Sequence, residues 1–234
     1  MSETLRVATY NIHKGVGTDR KRDPQRILRV LNEIDADIIT LQEADRRFGE
    51  RETCLPFRNI NDETPWKHVP FNIRPNGIGW HGNAILVRDE YIIRSGQPMG
   101  LPTLEPRGAV VSEVDTPIGT LRIIGAHLDL SGLWRRRQIR HLLGFLDAEP
   151  RHLPTVIMGD FNQWSDRGAL SEFAFHRHRI LKTPKSYHAS RPVAALDRII
   201  ISHDLEAADC GRHQSSLAKK ASDHLPVWAD IKFA

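Results

Sequence analysis

Four runs of β-type apolar residues in this chain each stop on a polar residue, and that recurrence limits the possible folds more than any other feature. Leu5 to Asn11, Asp37 to Gln42 with Glu43 at its tip, Leu121 to Leu128 with His127 near its end and Pro154 to Gly159 leading into Asp160 all read as strands. Strands that end this way present chemistry from a sheet edge. In Gly159-Asp160-Phe161-Asn162, alternation along an extended chain puts Asp160 and Asn162 on one face and turns Phe161 into packing. The plain alternative is the start of a turn, since both residues open turns readily.

Asp23-Pro24 supplies a cap and a first-turn proline for a helix carrying Ile27, Leu28, Leu31 and Ile34. A second helix spans residues 134–146, with Ile139, Leu142, Leu143 and Leu146 on its stripe and Arg135, Arg136, Arg137 and Arg140 read as solvated. Further strands are expected at 67–73, 82–87, 91–97, 108–114, 195–201 and 225–231, with a hairpin turn at Thr116-Pro117-Ile118-Gly119. Residues 44–66, with Arg46, Arg47, Arg51 and Asp62, read as a charged surface loop with one helical turn. Asp166 to Phe175 reads as a short helix, and Phe175 to Arg179 as a basic surface segment. No linker or repeat divides the chain, so one domain over residues 1–234 is expected. Strand and helix periods of this kind fit an open α/β sheet as well as a sandwich.

The net charge of +4 and a pI near 9.3 suit an anionic substrate but fall short of a nucleic-acid coat. Cys54 and Cys210 form no metal or redox spacing, which points to free thiols in a reducing cytoplasm. No secretory leader is visible, and no run approaches the roughly 18 to 20 apolar residues that cross a bilayer. The expectation is a cytoplasmic protein without an integral membrane segment.

Asn11, Glu43, His81, Asn83, His127, Asp160, Asn162, Asp197, Asp223 and His224 lie mostly at or near strand ends. Carboxylates gathered there would raise one another's pKa, a cost that a divalent cation removes. Glu43, Asp223 and Asn11 offer hard oxygen ligands and no thiolate, which suits Mg²⁺ or Mn²⁺ better than Zn²⁺.

In order along the chain stand Thr9-Tyr10-Asn11-Ile12-His13-Lys14-Gly15, Leu41-Gln42-Glu43, His81-Gly82-Asn83-Ala84-Ile85-Leu86, Glu105-Pro106-Arg107-Gly108, Ala126-His127-Leu128, Gly159-Asp160-Phe161-Asn162, Leu196-Asp197-Arg198-Ile199 and Ser222-Asp223-His224-Leu225-Pro226. Together they resemble the endonuclease/exonuclease/phosphatase superfamily. The resemblance implies a deoxyribonuclease I-like fold, a four-layer α/β/β/α sandwich of two mostly antiparallel sheets, and a metal-dependent phosphoester hydrolase. By the same likeness Glu43 is the main metal ligand with Asn11 and Asp223 nearby, Asp160 orients or deprotonates the attacking water, and Asn162 holds a phosphoryl oxygen. His224 and Asp197 resemble the family's His-Asp pair, His127 its second active-site histidine, and Arg107 and Asn83 substrate-side residues. A nuclease-type phosphodiesterase is the first expectation, with nucleic acid as a candidate partner. A phosphatase or phospholipase-like enzyme for a small or lipid-derived headgroup is the alternative, with peripheral membrane contact through Trp134 beside Arg135 to Arg137. A silent binding protein on the same fold is the reading from another class.

Overall fold

The chain builds β1 (Leu5–Asn11), α1 (Pro24–Ile34), β2 (Ile38–Gln42), α2 (Phe57–Glu63), β3 (Trp66–His68), β4 (Ala84–Arg88), β5 (Ile92–Gly100), β6 (Gly108–Thr116) and β7 (Gly119–His127). It continues through α3 (Gly132–Ala148), β8 (Thr155–Asp160), α4 (Glu172–Phe175), β9 (His178–Ile180), β10 (Asp197–Ser202), β11 (Leu205–Arg212), α5 (Ala218–Ala221) and β12 (Val227–Phe233). The structure is a computed structural model and describes residues 4–46, 52–73, 76–105, 107–165 and 168–234. Arg47, Arg51, Pro106 and Asp166, named above, lie outside them.

Two six-stranded sheets result, ordered β11-β12-β1-β2-β4-β3 and β5-β6-β7-β8-β10-β9. Both follow one scheme. Two antiparallel strands, β5-β6 in one sheet and the late β11-β12 in the other, flank a parallel pair bridged by a helix, β7-α3-β8 or β1-α1-β2, and a reversed hairpin closes the far edge. All other pairings are antiparallel, as the sandwich expectation requires.

The near-continuous apolar runs have a simple cause, because both faces of the central strands are buried. Val7, Ile38, Val87, Val156, Met158 and Ile199 meet between the sheets. Their neighbours Ala8, Tyr10, Ile39 and Leu41 pack against Ile27, Leu28 and Leu31 of α1. On the other side Ile157 and Ile200 pack against Ile139, Leu142 and Leu143 of α3. Four layers follow from alternation alone. Asp23 caps α1 through its side chain on Arg26 N–H at 2.9 Å. Asp23→Ala is expected to lower stability by about 1 kcal/mol in urea unfolding, and an unchanged midpoint would rule the cap out as a contributor.

Several expectations need correction. Strand β3 ends at His68 because Pro70 has no N–H to continue the ladder. Residues 44–66 hold the seven-residue α2 rather than one turn. The short helix expected over Asp166 to Phe175 is present as a 3₁₀ turn, Ala169–Ser171, running into α4, while the segment read as a basic surface stretch contributes β9. The α3 arginines are not simply solvated: Arg136 and Arg140 pair with Glu172 at 3.6 and 3.0 Å, and Arg137 lies over the Trp134 ring at 4.8 Å. Both cysteines are free, as expected.

Candidate active site

The parallel pairs β1-β2 and β7-β8 both end at the same edge of the sandwich. Asn11 stands opposite Gln42 in one sheet, and Asp160 lies between His127 and Asp197 in the other. Ligands bind at the carboxyl ends of parallel strands because the backbone there opens into loops. Sheet register has therefore gathered residues that sequence holds far apart.

Asp160 is the centre of the cluster and is only 2% exposed. Its Oδ1 accepts Asn162 N–H at 2.9 Å, while its Oδ2 accepts the Asn11 Nδ2 amide at 3.0 Å. The same Oδ2 lies 3.5 Å from His127 Nε2 and 3.7 Å from His224 Nε2. Burial pushes the Asp160 carboxyl up to about 6, against the positive charge of His224 and with the negative charge of Asp197.

His224 is fixed from behind. Its Nδ1 donates to Asp197 Oδ2 at 2.8 Å, and that oxygen also accepts Ser186 Oγ at 2.5 Å. Burial opposes charge on His224, but the carboxylates of Asp197, Asp160 and Asp223 outweigh it and push its pKa up to about 10. The imidazole is thus a cation at neutral pH, with Tyr187 packed on its ring at 4.9 Å. Ser222 Oγ donates to Asn11 O at 2.7 Å and accepts His224 N–H at 3.2 Å, which ties the Ser222-Asp223-His224 segment to the tip of β1.

Glu43 and Asp223 flank Asn11 from opposite sides, one following β2 and the other following Ser222. Glu43 leaves β2 in the left-handed region at φ 54°, where its carbonyl accepts Lys14 N–H at 3.1 Å. Gly82 supports that turn, and a Cβ there would come within 3.2 Å of Glu43 Cα. Asp223 Oδ1 lies 3.7 Å from His13 Nδ1. The donor types suit a hard divalent ion, since Glu43 and Asp223 offer carboxylates and Asn11 an amide oxygen, which here accepts His13 N–H at 3.1 Å while Glu43 pairs with Lys14. Among the described residues no three His, Cys, Asp or Glu side chains form a metal-holding group. An ion here would rest on two carboxylates completed by amide, water and substrate oxygens, the manner in which Mg²⁺ is bound.

Two expectations change, and Arg107 stays beside the cluster. Asn162 does not share a strand face with Asp160, because it turns at φ 49° and its Nδ2 donates to Leu128 O at 2.9 Å. Asn83 is fully buried, and its amide ties Trp80 O and Gly108 O at 3.2 and 3.0 Å, so it braces β4 against β6 and does not face substrate. Arg107 lies against His127 Nε2 and 3.3 Å from Glu105 Oε2.

Other residues escape sequence reasoning. Ser186 and Tyr187 sit in a stretch without periodicity, and nothing near them in sequence shows that they will meet Asp197 and His224. Arg135 is half-buried: Nη1 donates to Asp129 O and Leu130 O at 3.1 and 2.5 Å, and Nε to Gln163 Oε1 at 3.4 Å. Burial lowers its pKa against the pull of Asp129 and Asp160, which places this cation within the field of the site.

The profile of the Endonuclease/Exonuclease/phosphatase family matches residues 8–224. YbhP of Escherichia coli (strain K12), itself uncharacterized, is 25% identical over 251 aligned residues, spanning 97% of this chain and 96% of that one. The human Nocturnin catalytic domain with bound sulfate anion superposes at a TM-score of 0.76 with 19% identity, covering 100% of this chain and 97% of that chain. A mannosyl-6-phosphatase of Bacteroides thetaiotaomicron superposes at 0.75 with 17% identity, covering 98% of this chain and 100% of that chain. The solved structures speak for a shared fold, and the profile match for more: this chain belongs to the endonuclease/exonuclease/phosphatase family, whose members are in general phosphoester hydrolases.

Proposed function

We propose that this chain is a divalent-metal-dependent phosphoester hydrolase, acting as a phosphodiesterase by in-line attack of water. One observation carries the reading: a single buried carboxylate oxygen, Asp160 Oδ2, faces the Asn11 amide and the His127 and His224 imidazoles within 3.0 to 3.7 Å. Water resting against that oxygen is oriented by it and can pass it a proton, because burial has raised its proton affinity. His224, held as a cation by Asp197, sets fixed positive charge where the phosphoryl oxygens gain negative charge during attack. His127 adds a second imidazole on the same side, and Asn11 fixes the carboxylate's orientation. Mg²⁺ or Mn²⁺ on Glu43, Asp223 and Asn11 would, when bound, neutralise charge on the phosphoryl group and polarise it.

The test is metal-dependent release from bis-p-nitrophenyl phosphate, p-nitrophenyl phosphate, plasmid DNA, single-stranded RNA and phospholipid. Faster turnover of diesters than of monoesters supports the reading, monoesters alone would turn it to a phosphatase, and silence on all would turn it to a binding protein. Glu43→Gln is expected to weaken Mg²⁺ affinity roughly tenfold or more. Unchanged calorimetric binding would remove Glu43 from the metal site.

Asp197→Asn tests the paired imidazole. Asp197 raises the His224 pKa, so its neutral replacement lowers it. A step that needs the imidazolium is then lost at lower pH, and the alkaline limb of the rate profile moves down by about a unit or more. A profile that keeps its alkaline limb would disconnect Asp197 from the chemistry.

A further inference from the structure

Eight large apolar side chains are exposed among the described residues, and their placement is uneven. Ile92, Phe175 and Phe233 stand at the end of the sheets remote from Asp160, while Leu104, Leu130, Trp164 and Val193 lie on loops at the end that carries Asp160 and Leu133 in the first turn of α3 there. Of the latter five, all but Val193 expose 60% to 68% of their surface.

The segments that carry the five are linked one to the next. Leu104 N–H donates to Asp129 Oδ2 at 3.4 Å, beside Leu130, and Leu133 opens the next turn in α3. Arg135 bridges Leu130 O to Gln163, the neighbour of Trp164. The Trp164 ring meets Tyr187 at 6.4 Å, and Tyr187 O accepts Val193 N–H at 2.6 Å. Across the site the opposite rim is charged, with Lys14 on Glu43 and His13 by Asp223. An exposed apolar band on one side of a polar cleft marks a place where something apolar docks.

We propose that this band seats the protein on an anionic phospholipid surface. Charge selects that occupant. Arg136 and Arg137 are exposed directly after Leu133 and Trp134, Arg191 is exposed two residues before Val193, and the whole chain carries +4. Glu172 neutralises part of Arg136, and Arg137 rests on Trp134, a pairing of cation and aromatic ring suited to the headgroup layer. Nucleic acid is the poorer match, because strand binding relies on aromatic faces for stacking, and four of the five side chains here are aliphatic. The surface stands independently of the hydrolase reading.

Co-sedimentation of the full chain with vesicles of phosphatidylcholine, with and without phosphatidylglycerol, tests it. The protein is expected to pellet with the anionic vesicles, and L130D/L133D, checked for folding by its thermal melt, to bind roughly tenfold more weakly or worse. Phe175→Asp, at the remote end, is expected to bind as the unchanged protein does. No pelleting with either vesicle, full binding by the double variant, or equal loss in Phe175→Asp would each overturn the proposal. Binding of a single-stranded oligonucleotide that the double variant loses, without vesicle binding, would overturn it in favour of nucleic acid. If vesicles bind but no phosphoester is turned over, the docking surface holds and the hydrolase reading falls.

Discussion

Asp160→Asn is expected to lower phosphoester hydrolysis about 10³-fold without weakening the fold. The carboxamide keeps the shape of the side chain and an oxygen for Asn162 N–H, but it cannot accept a proton and turns an N–H₂ toward the Asn11 amide or the two imidazoles. The stability argument has a definite sign. Because the folded pKa of Asp160 is raised by burial, its ionised form costs stability at every pH above that value, and the cost disappears as pH falls toward the unfolded value. In metal-free protein the variant should therefore melt no lower than the parent at pH 8, and any advantage should shrink by pH 4. Parallel kinetic and melting series at both pH values would measure this. Activity within tenfold of the parent would remove Asp160 from the chemistry, and a large loss of melting temperature would show that the carboxylate is chiefly structural.

Gly159→Ala should be the most damaging change to the fold itself. Gly159 pairs with Ala126 in the parallel ladder, one residue before Asp160, and has φ 155°. A Cβ there would sit 1.8 Å from Ala126 O and 2.8 Å from Ala126 C. Those are backbone atoms in the middle of a sheet, so no rotamer change relieves the overlap and the two strands must separate. A cost of about 3 kcal/mol or more is expected, with activity falling alongside because the same strand carries Asp160. Gly144→Ala supplies the contrast: it lies within α3 with nothing within 4 Å of the added carbon, and should gain about 0.5 to 1 kcal/mol. Urea unfolding of both variants separates the two cases, and equal midpoints would mean that the sheet has slack at Ala126.

The strands that carry the site are legible because burial on both faces forces apolar runs, so an abrupt polar residue at the tip stands out. Asp160 is recoverable for that reason, whereas Asp197 heads β10 and His224 precedes β12, and both are picked out by the ordered motifs around them. Alternation misplaces Asn162 because the ladder stops at Asp160 and the chain turns left-handed two residues later, which is the turn that Asp and Asn equally suggest. A carboxamide beside a strand tip reads alike whether it faces a cleft or bridges two strands, and Asn83 does the second. Strand β11 has no apolar alternation to read, since it is an edge strand with a bulge between Ala207 and Asp209 and joins through its backbone. Ser186, Tyr187 and Arg135 act through contacts made only after the sheets assemble.

The order of the strands decides when the site can be completed. In the second sheet every neighbour is close in sequence, so it can close while synthesis is still under way. In the first, β1 must wait for β12 to supply its outer partner, and Ser222-Asp223-His224 arrives only just before it. A chain stopped after Arg212 should thus show slow amide exchange in β6 to β8 and no turnover, and turnover in such a fragment would refute the idea. An unfinished chain would thus carry Asp160 before His224 can be seated beside it, and the cluster closes only once β12 is made.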